Sequence, residues 1–360
     1  MRRISRLSSV AVAVSALALA ASACGKTSTE SDTPTDKGSD KTASSDYKGK
    51  GIGLAYDIGG RGDQSFNDAA YTGFAKAQKE FGIDGIDVEP SDGESDADKI
   101  QRLTSLAKQG YNPVIGVGFA YAPAVKDVAA KFPDITFGIV DDGTVEAKNV
   151  ADLIFSEEQG SYLAGVAAAK ATESKTVGFV GGVETPLIKK FQAGFEQGVK
   201  DTDPSVKVLS QYLTQPPNFD GFSKPDLGKA AANGMLDRKA DVIYHAAGLA
   251  GQGAIEATAA KKKWAIGVDS DQYNQKALAE YKDYILTSMT KDVGGAVYSL
   301  AKSVVEGEPL SGVQRFDLKA EGVGLSDSNP AYKEMTEVVE AVEKARKAIE
   351  DGTITVKDTP

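Results

Sequence analysis

The chain has 360 residues, 41% of them hydrophobic, and this length suits two domains of ordinary size better than a single core. It contains one cysteine and one histidine, which excludes a disulfide scaffold and argues against a His-rich metal site or a Ser-His-Asp triad. Acidic residues outnumber basic ones by 51 to 41, a formal charge of −10, so a basic nucleic-acid-binding face is not expected.

The N-terminus has the pattern of a secretory signal peptide. Three arginines within the first six residues precede an apolar run over 10–21, which is short of the about 20 apolar residues that span a bilayer. Small residues then precede Cys24, and this order resembles a bacterial lipobox, in which the cysteine is acylated and becomes the new N-terminus. We predict a signal peptide over 1–23 and lipidation at Cys24. The alternative is a secreted protein in which the cysteine is incidental.

The segment after Cys24 is polar. Residues 25–46 contain no large apolar side chain, so they bury too little surface to fold. We predict a disordered tether over 24–46 that holds the folded part off a membrane surface.

From residue 47 onward, short apolar runs alternate with helical periodicity. The ten predicted strands are 51–56, 86–89, 113–118, 136–140, 150–155, 176–181, 206–213, 241–246, 264–268 and 284–290. The predicted helices are 66–81, 98–109, 122–131, 157–170, 187–200, 226–237, 252–262, 272–281 and 293–305. Strands that alternate with helices indicate α/β architecture, here two parallel sheets of about five or six strands, each covered on both faces.

Acidic and glycine residues follow several of these strands. Asp57, Asp141, Gly248 and Asp269 all lie where a strand passes into the next element. Because ligands of doubly wound sheets bind outside the carboxyl ends of the strands, these positions predict a pocket that offers carboxylates to hydroxyls or ring N–H groups. Ser65 is predicted to cap the helix that follows it, with an acid three residues on as in a capping box.

Several motifs occur in an order that resembles one family. They are DIGGRGDQSFN (57–67), GGVETPLIKKFQAGF (181–195), YHAAGLAGQG (244–253), IGVDSDQ (266–272) and TSMTKDV (287–293). These motifs resemble the basic membrane protein family, substrate-binding lipoproteins of ABC importers that include purine-nucleoside receptors. The resemblance implies a type I periplasmic-binding-protein fold, with two Rossmann-like lobes joined by three crossovers. We expect lobe 1 to contain 47–153 and about 291–318, and lobe 2 to contain 154–290 and about 319–360.

The resemblance also implies roles for single residues. Phe66 would stack on the purine, Asp57 and Asp141 would bond the base, and Asp269 and Lys291 would bind the ribose hydroxyls. Lys291 is expected to neutralise Asp269. The complete set of expected ligand-binding residues is Asp57, Ser65, Phe66, Asn67, Asp141, Phe191, Phe222, Gly248, Asp269 and Lys291. Either Phe219 or Phe222 would supply a second stacking face. Some relatives have Asn where this chain has Asp57, which would alter the preferred base.

The predicted function is capture of a nucleoside, with a purine nucleoside first, between two lobes for delivery to an ABC permease. The protein would be a monomer, lipid-anchored on the extracytoplasmic face of the cell membrane, with no cofactor, metal or nucleic acid. The sequence has no nucleophile elbow, Walker A loop or paired cysteines, which argues against an enzyme such as a nucleoside hydrolase. A sugar or autoinducer receptor and a sensory lipoprotein of the same fold are alternatives. His245 is expected to be a hydrogen-bonded structural residue rather than a ligand contact.

Overall fold

A computed structural model describes residues 47–360. The predicted signal peptide, Cys24 and the predicted tether lie outside these residues. Within the described part, no helix is long and apolar enough to cross a membrane.

Residues 47–360 contain twelve strands. In chain order they are β1 (Gly51–Ala55), β2 (Asp84–Val88), β3 (Val114–Gly116), β4 (Phe137–Val140), β5 (Val150–Phe155), β6 (Thr176–Val183), β7 (Lys207–Thr214), β8 (Val242–Ala246), β9 (Trp264–Asp269), β10 (Ile285–Lys291), β11 (Gly312–Phe316) and β12 (Val323–Leu325). The same residues contain ten α-helices: α1 (Phe66–Phe81), α2 (Asp96–Lys108), α3 (Ala122–Ala129), α4 (Glu157–Ala171), α5 (Pro186–Thr202), α6 (Pro225–Asp237), α7 (Gly251–Ala260), α8 (Val293–Val305), α9 (Pro330–Glu334) and α10 (Thr336–Glu350).

The strands form two six-stranded sheets. The first has the order β11-β5-β4-β3-β1-β2 and is parallel throughout. The second has the order β12-β10-β9-β8-β6-β7 and is parallel except for β12, which pairs antiparallel with β10. Strands such as β1, β4 and β8 are buried along their whole length, as expected for parallel strands covered on both faces. The predicted α/β architecture with two parallel sheets is therefore confirmed.

The chain passes between the sheets three times. It leaves the first sheet after β5 and enters α4, which packs on α5 beside the second sheet. It returns after β10 through α8, which packs on α1, and it crosses again between β11 and β12. Backbone hydrogen bonds join the three connections, since Ser156 N–H donates to the Phe316 carbonyl at 3.1 Å and Asp292 N–H donates to the Gly322 carbonyl at 2.9 Å. Residues at the ends of β5 and β10 therefore lie where the two sheets are joined.

One predicted helix is wrong. Residues 272–281 do not form a helix, because the structure has separate 3-10 turns at Gln272–Asn274, Lys276–Leu278 and Lys282–Tyr284. Leu278 is the one buried residue of the last two turns, so the segment lacks an apolar stripe that a helix could bury. Gln272 is also held outside a helix, since its backbone N–H donates to Ser288 Oγ at 3.1 Å.

The C-terminal part contains elements that were not predicted. Strands β11 and β12 are short and stand at the edges of the two sheets. Helix α10 packs on α4 and buries Val338, Val342, Ala345 and Ile349. That spacing is a regular helical stripe, so the sequence contained the signal for α10.

Candidate ligand-binding site

A cleft lies outside the carboxyl ends of strands from both sheets, where ligands of such sheets bind. The empty space between its walls, including the space that opens to solvent, is about 530 Å³. Its lining combines carboxylates, aromatic rings and one lysine: Asp57, Ile58, Asp63, Phe66, Asn67, Phe119, Asp141, Leu187, Ile188, Phe191, Phe222, Ala246, Gly248, Val268, Asp269 and Lys291.

The structure brings the residues expected from the sequence together. All of the ten expected ligand-binding residues except Ser65 line this one cleft, although they come from seven separate parts of the chain. Ser65 is fully buried directly behind the lining, where its hydroxyl donates to Asp269 Oδ2 at 2.5 Å. Contact between these residues and a ligand stays a prediction.

Lys291 is the centre of the charge arrangement. It is 2% exposed, and its Nζ lies 2.6 Å from Asp141 Oδ1 and 3.2 Å from Glu157 Oε1. The expectation that Lys291 pairs with Asp269 is therefore wrong in its partner, because Asp269 acts on the lysine only at longer range. Burial by itself would lower the pKa of Lys291, but the three carboxylates outweigh it and raise this pKa, so the side chain stays charged.

Three aromatic rings surround the same ammonium group. Lys291 Nζ lies 5.1 Å from the ring centroid of Phe66, 4.9 Å from that of Phe155 and 5.6 Å from that of Phe191. A cation near ring faces at these distances is attracted by the ring quadrupoles, most strongly where water is excluded. The rings and the carboxylates together make a buried lysine stable at the floor of the cleft.

The cleft carboxylates differ from exposed ones in their protonation. Burial raises the pKa of Asp57 to about 7, and its Oδ1 has no hydrogen-bond partner among residues 47–360. Burial also raises the pKa of Asp141 to about 7, although Lys291 opposes this rise. The pKa of Asp269 is raised by burial as well, against Lys291 and the hydroxyl of Ser65. Near neutral pH, Asp57 and Asp141 are thus able to accept hydrogen bonds when ionised and to donate one when protonated.

Two of these aspartates have an uncommon backbone conformation. Asp141 has φ 68° and Asp269 has φ 62°, in the left-handed region that residues other than glycine adopt uncommonly. Aspartate tolerates this region better than most residues. Backbone strain of this kind concentrates at functional sites, where the surrounding structure holds it in place.

Asp63, rather than Ser65, caps the helix that carries Phe66. Its carboxylate accepts from the backbone N–H groups of Ser65, Asn67 and Asp68 at 2.8–3.2 Å and from the Asn67 side chain at 3.1 Å. Ser65 makes no capping bond, so the predicted capping box is wrong. The physical reason is that its hydroxyl is donated to the buried carboxylate of Asp269 instead.

The aromatic residues divide between two parts of the cleft. Phe222 lines the inner cleft with Phe66 and Phe191. Phe219 lies in a wider outer cavity, where its ring centroid is 6.3 Å from that of Phe119. Of the two candidates for a second stacking face, Phe222 is therefore the one placed at the inner cleft.

The sequence analysis did not identify one acidic and one aromatic residue of the site, Glu157 and Phe119. Glu157 is fully buried, pairs with Lys291 and also lies 3.2 Å from Lys190. Phe119 lines both the inner cleft and the outer cavity. Both residues follow a strand by two or three positions, so the strand-end rule that identified Asp57 and Asp141 would have found them. Within 47–360, no cluster of three or more His, Cys, Asp and Glu residues has the arrangement of a metal site.

The chain matches a known protein family over most of its length. A model of the family described as "ABC transporter substrate-binding protein PnrA-like" matches residues 52–359. The "ABC transporter nucleoside-binding protein BmpA" of Lactococcus lactis is 34% identical over 320 residues, which cover 84% of this chain and 88% of the relative. A protein named as an uncharacterized lipoprotein of Pyrococcus horikoshii is 33% identical, over 86% of this chain and 77% of the relative.

Solved structures show the same fold. The crystal structure of an ABC transporter solute-binding protein from Aeropyrum pernix superposes with a TM-score of 0.72 and is 29% identical, covering 86% of this chain and 93% of that one. The expected type I periplasmic-binding-protein fold, with two Rossmann-like halves and three crossovers, is therefore confirmed.

Proposed function

The chain belongs to the family of PnrA-like ABC transporter substrate-binding proteins, and we propose that its ligand is a nucleoside, with purine nucleosides bound best. Members of this family are binding proteins, so the chain is a receptor for a small molecule and not an enzyme. The observation that carries the nucleoside assignment is that aromatic rings share one cleft with buried carboxylates, one of which, Asp57, has an oxygen without a hydrogen-bond partner among residues 47–360.

The base would lie at Phe66. A flat ring that stacks on an aromatic side chain gains about 1–3 kcal/mol per base, and Phe222 is placed in the same cleft. Asp57 Oδ1 is buried without a partner, and such an oxygen is costly unless a ligand supplies a donor. The N–H groups of a purine would supply it, and Asp141 would take a second hydrogen bond from the base.

The ribose would lie between Asp269 and Lys291. The Ser65 hydroxyl engages Asp269 Oδ2, which leaves the other carboxylate oxygen for the ligand. Vicinal hydroxyls that donate to a carboxylate and accept from an ammonium form charge-assisted hydrogen bonds that define one orientation. The Lactococcus relative carries "nucleoside-binding" in its name, which supports the same ligand class.

The domain proposal follows the two sheets. We propose that 47–153 with about 291–318 and 154–290 with about 319–360 act as two lobes that close on the ligand by hinge motion at the three crossovers. The closed form would deliver the nucleoside to ABC permease subunits, with the protein acting as a monomer. The lipobox-like sequence and the relative that is named a lipoprotein support anchoring through Cys24 on the extracytoplasmic face of the membrane.

A thermal-shift panel tests this function. Purified protein is heated with purine nucleosides, pyrimidine nucleosides, free bases, pentoses and hexoses. We expect purine nucleosides to give the largest shift, since a ligand at 100 times its Kd adds about 2.7 kcal/mol of stability. A sugar that shifts the melting temperature while nucleosides do not would overturn the nucleoside assignment in favour of a sugar receptor.

Two variants sharpen the panel. Phe66→Ala should weaken nucleoside binding by about 1–3 kcal/mol, because the base loses its stacking face. Asp269→Ala should weaken ribonucleosides more than 2′-deoxynucleosides, since the deoxy sugar lacks one of the hydroxyl donors. Equal losses for both ligand types would remove Asp269 from the ribose site.

A further inference from the structure

The only histidine of the chain lies outside the cleft lining but makes one informative hydrogen bond. His245 is the next-to-last residue of β8 and is 1% exposed. Its Nε2 lies 3.0 Å from Gln272 Oε1. The backbone N–H of Val268 donates to the same oxygen, also at 3.0 Å. A backbone N–H only donates, so this atom of Gln272 must be the carbonyl oxygen, and His245 Nε2 must carry a proton. Burial lowers the pKa of His245 to about 4, so the ring is neutral.

The side-chain amide of Gln272, oriented by His245 and Val268, directs its nitrogen towards the other proposed lobe. Gln272 Nε2 donates to the carbonyl of Gln64 at 3.0 Å. Two further bonds join the same places: Ser65 Oγ donates to Asp269 Oδ2 at 2.5 Å, and Ser270 Oγ donates to the carbonyl of Ser65 at 2.8 Å. We call these five residues the latch. It joins the loop before α1, on the first sheet's side, to the end of β9 and the turn that follows it, on the second sheet's side.

The latch residues are neighbours of residues proposed to hold the ligand. Ser65 directly precedes Phe66, and Ser270 directly follows Asp269. Gln64 has φ 56°, a left-handed backbone that a glutamine adopts only when surrounding contacts hold it. The bond from Gln272 to the Gln64 carbonyl is such a contact. Holding this peptide therefore sets the start of α1 and with it the position of the Phe66 ring.

We propose that Gln272, oriented by His245, is a positioning residue that ties lobe closure to ligand capture. Its amide bonds to Gln64 across the two proposed lobes, so we expect this bond to break when the lobes open and to form together with the ligand site. This gives a physical role to the YHAAGLAGQG and IGVDSDQ motifs (244–253 and 266–272), which contribute His245 and Gln272. The proposal rests on the proposed function for the choice of ligand and for the closure of the two lobes.

The test compares ligand dissociation and backbone exchange in matched variants. Gln272→Glu keeps an acceptor for His245 and Val268 but replaces the donor that faces the Gln64 carbonyl. Because this bond is expected only in the closed form, inosine should dissociate about tenfold faster in stopped-flow measurements, with association changed by less than about twofold. Hydrogen–deuterium exchange of the amides in 62–68 should rise in the same variant. Asn274→Ala is the control, since the Asn274 amide bonds only to Asp271 and Ser328 within its own lobe.

The histidine is tested by conservative rescue. His245→Gln retains an N–H donor for the Gln272 carbonyl and should behave like the unchanged protein, whereas His245→Leu should release ligand faster. If the two His245 variants behave alike, His245 does not orient Gln272. If Gln272→Glu proves unfolded, Ser270→Ala removes a latch bond with less disturbance and should show the same two changes.

The outcomes separate this proposal from the proposed function. Unchanged dissociation and unchanged exchange at 62–68 in Gln272→Glu and Ser270→Ala would overturn the latch while nucleoside binding stands. If inosine and other nucleosides do not bind, the proposed function fails. The latch is then tested with the ligand that the thermal-shift panel does identify, since equal dissociation and equal exchange at 62–68 in all variants refute it.

Discussion

Asp57→Asn should make the protein more stable at high pH while removing a proposed ligand contact. In the folded protein, burial raises the pKa of Asp57 from 3.8 to about 7. Folding therefore favours the protonated carboxyl, and the stability that this contributes is present below about pH 4 and is lost as the pH rises through 7. At 1.36 kcal/mol per pKa unit, the loss amounts to about 4 kcal/mol. Asparagine has nearly the same shape and does not titrate, so the variant escapes this loss.

The assay is urea unfolding of ligand-free protein at several pH values between about 4 and 8. The difference in the free energy of unfolding between Asp57→Asn and the unchanged protein should grow by about 4 kcal/mol across this range. Taking the difference cancels the pH dependence that the two proteins share. Asp92→Asn, at an exposed carboxylate at the outer cavity, is the control and should show no such growth. A difference that stays constant with pH would refute the argument that Asp57 is a desolvated carboxyl.

Two further predictions concern the supports of the site. Lys291→Met leaves the carboxylate of Asp141 buried without its counter-ion and leaves Glu157 with Lys190 alone, so urea unfolding at neutral pH should show a loss of about 3–5 kcal/mol; a loss below about 1 kcal/mol would mean that the lysine is not needed to compensate them. Asp63→Ala removes the cap of α1 and should cost about 0.5–2 kcal/mol while also weakening nucleoside affinity in calorimetry, because Phe66 begins that helix; unchanged affinity would show that the cap does not position the ring.

Much of the fold could be predicted because its signals are local. Residues 150–155 read as a strand since every position but one is buried in a sheet covered on both faces. Residues 66–81 read as a helix because their buried apolar residues recur at helical spacing. The same reasoning wrongly predicted a helix over 272–281. Its first residue, Gln272, uses its backbone N–H and its side chain for long-range bonds, and no local pattern records such partners.

The candidate site could likewise be predicted from the sequence only in part. The position of a carboxylate at the end of a parallel strand is a local property, so Asp57, Asp141 and Asp269 could be assigned to one cleft in advance. The ion pairs that these charged side chains form depend instead on how the two sheets are joined. Lys291 ends β10 of the second sheet and Glu157 follows β5 of the first, and only the crossovers bring them within 3.2 Å. The expected partner of Lys291 was therefore wrong although its place in the cleft was right.

The surplus of carboxylates in the cleft has a consequence for its ligand. Lys291 is already engaged by Asp141 and Glu157, and Asp57 Oδ1 is buried without a hydrogen-bond partner among residues 47–360. A buried acceptor that lacks a donor disfavours an anionic ligand and favours one that brings hydroxyl or N–H groups. The proposed nucleoside would meet this demand with ring N–H groups at Asp57, and its ribose hydroxyls would donate to Asp269. On the proposed closure of the two lobes, the same molecule would satisfy an acceptor that is costly to bury alone, so ligand binding and closure would stabilise each other.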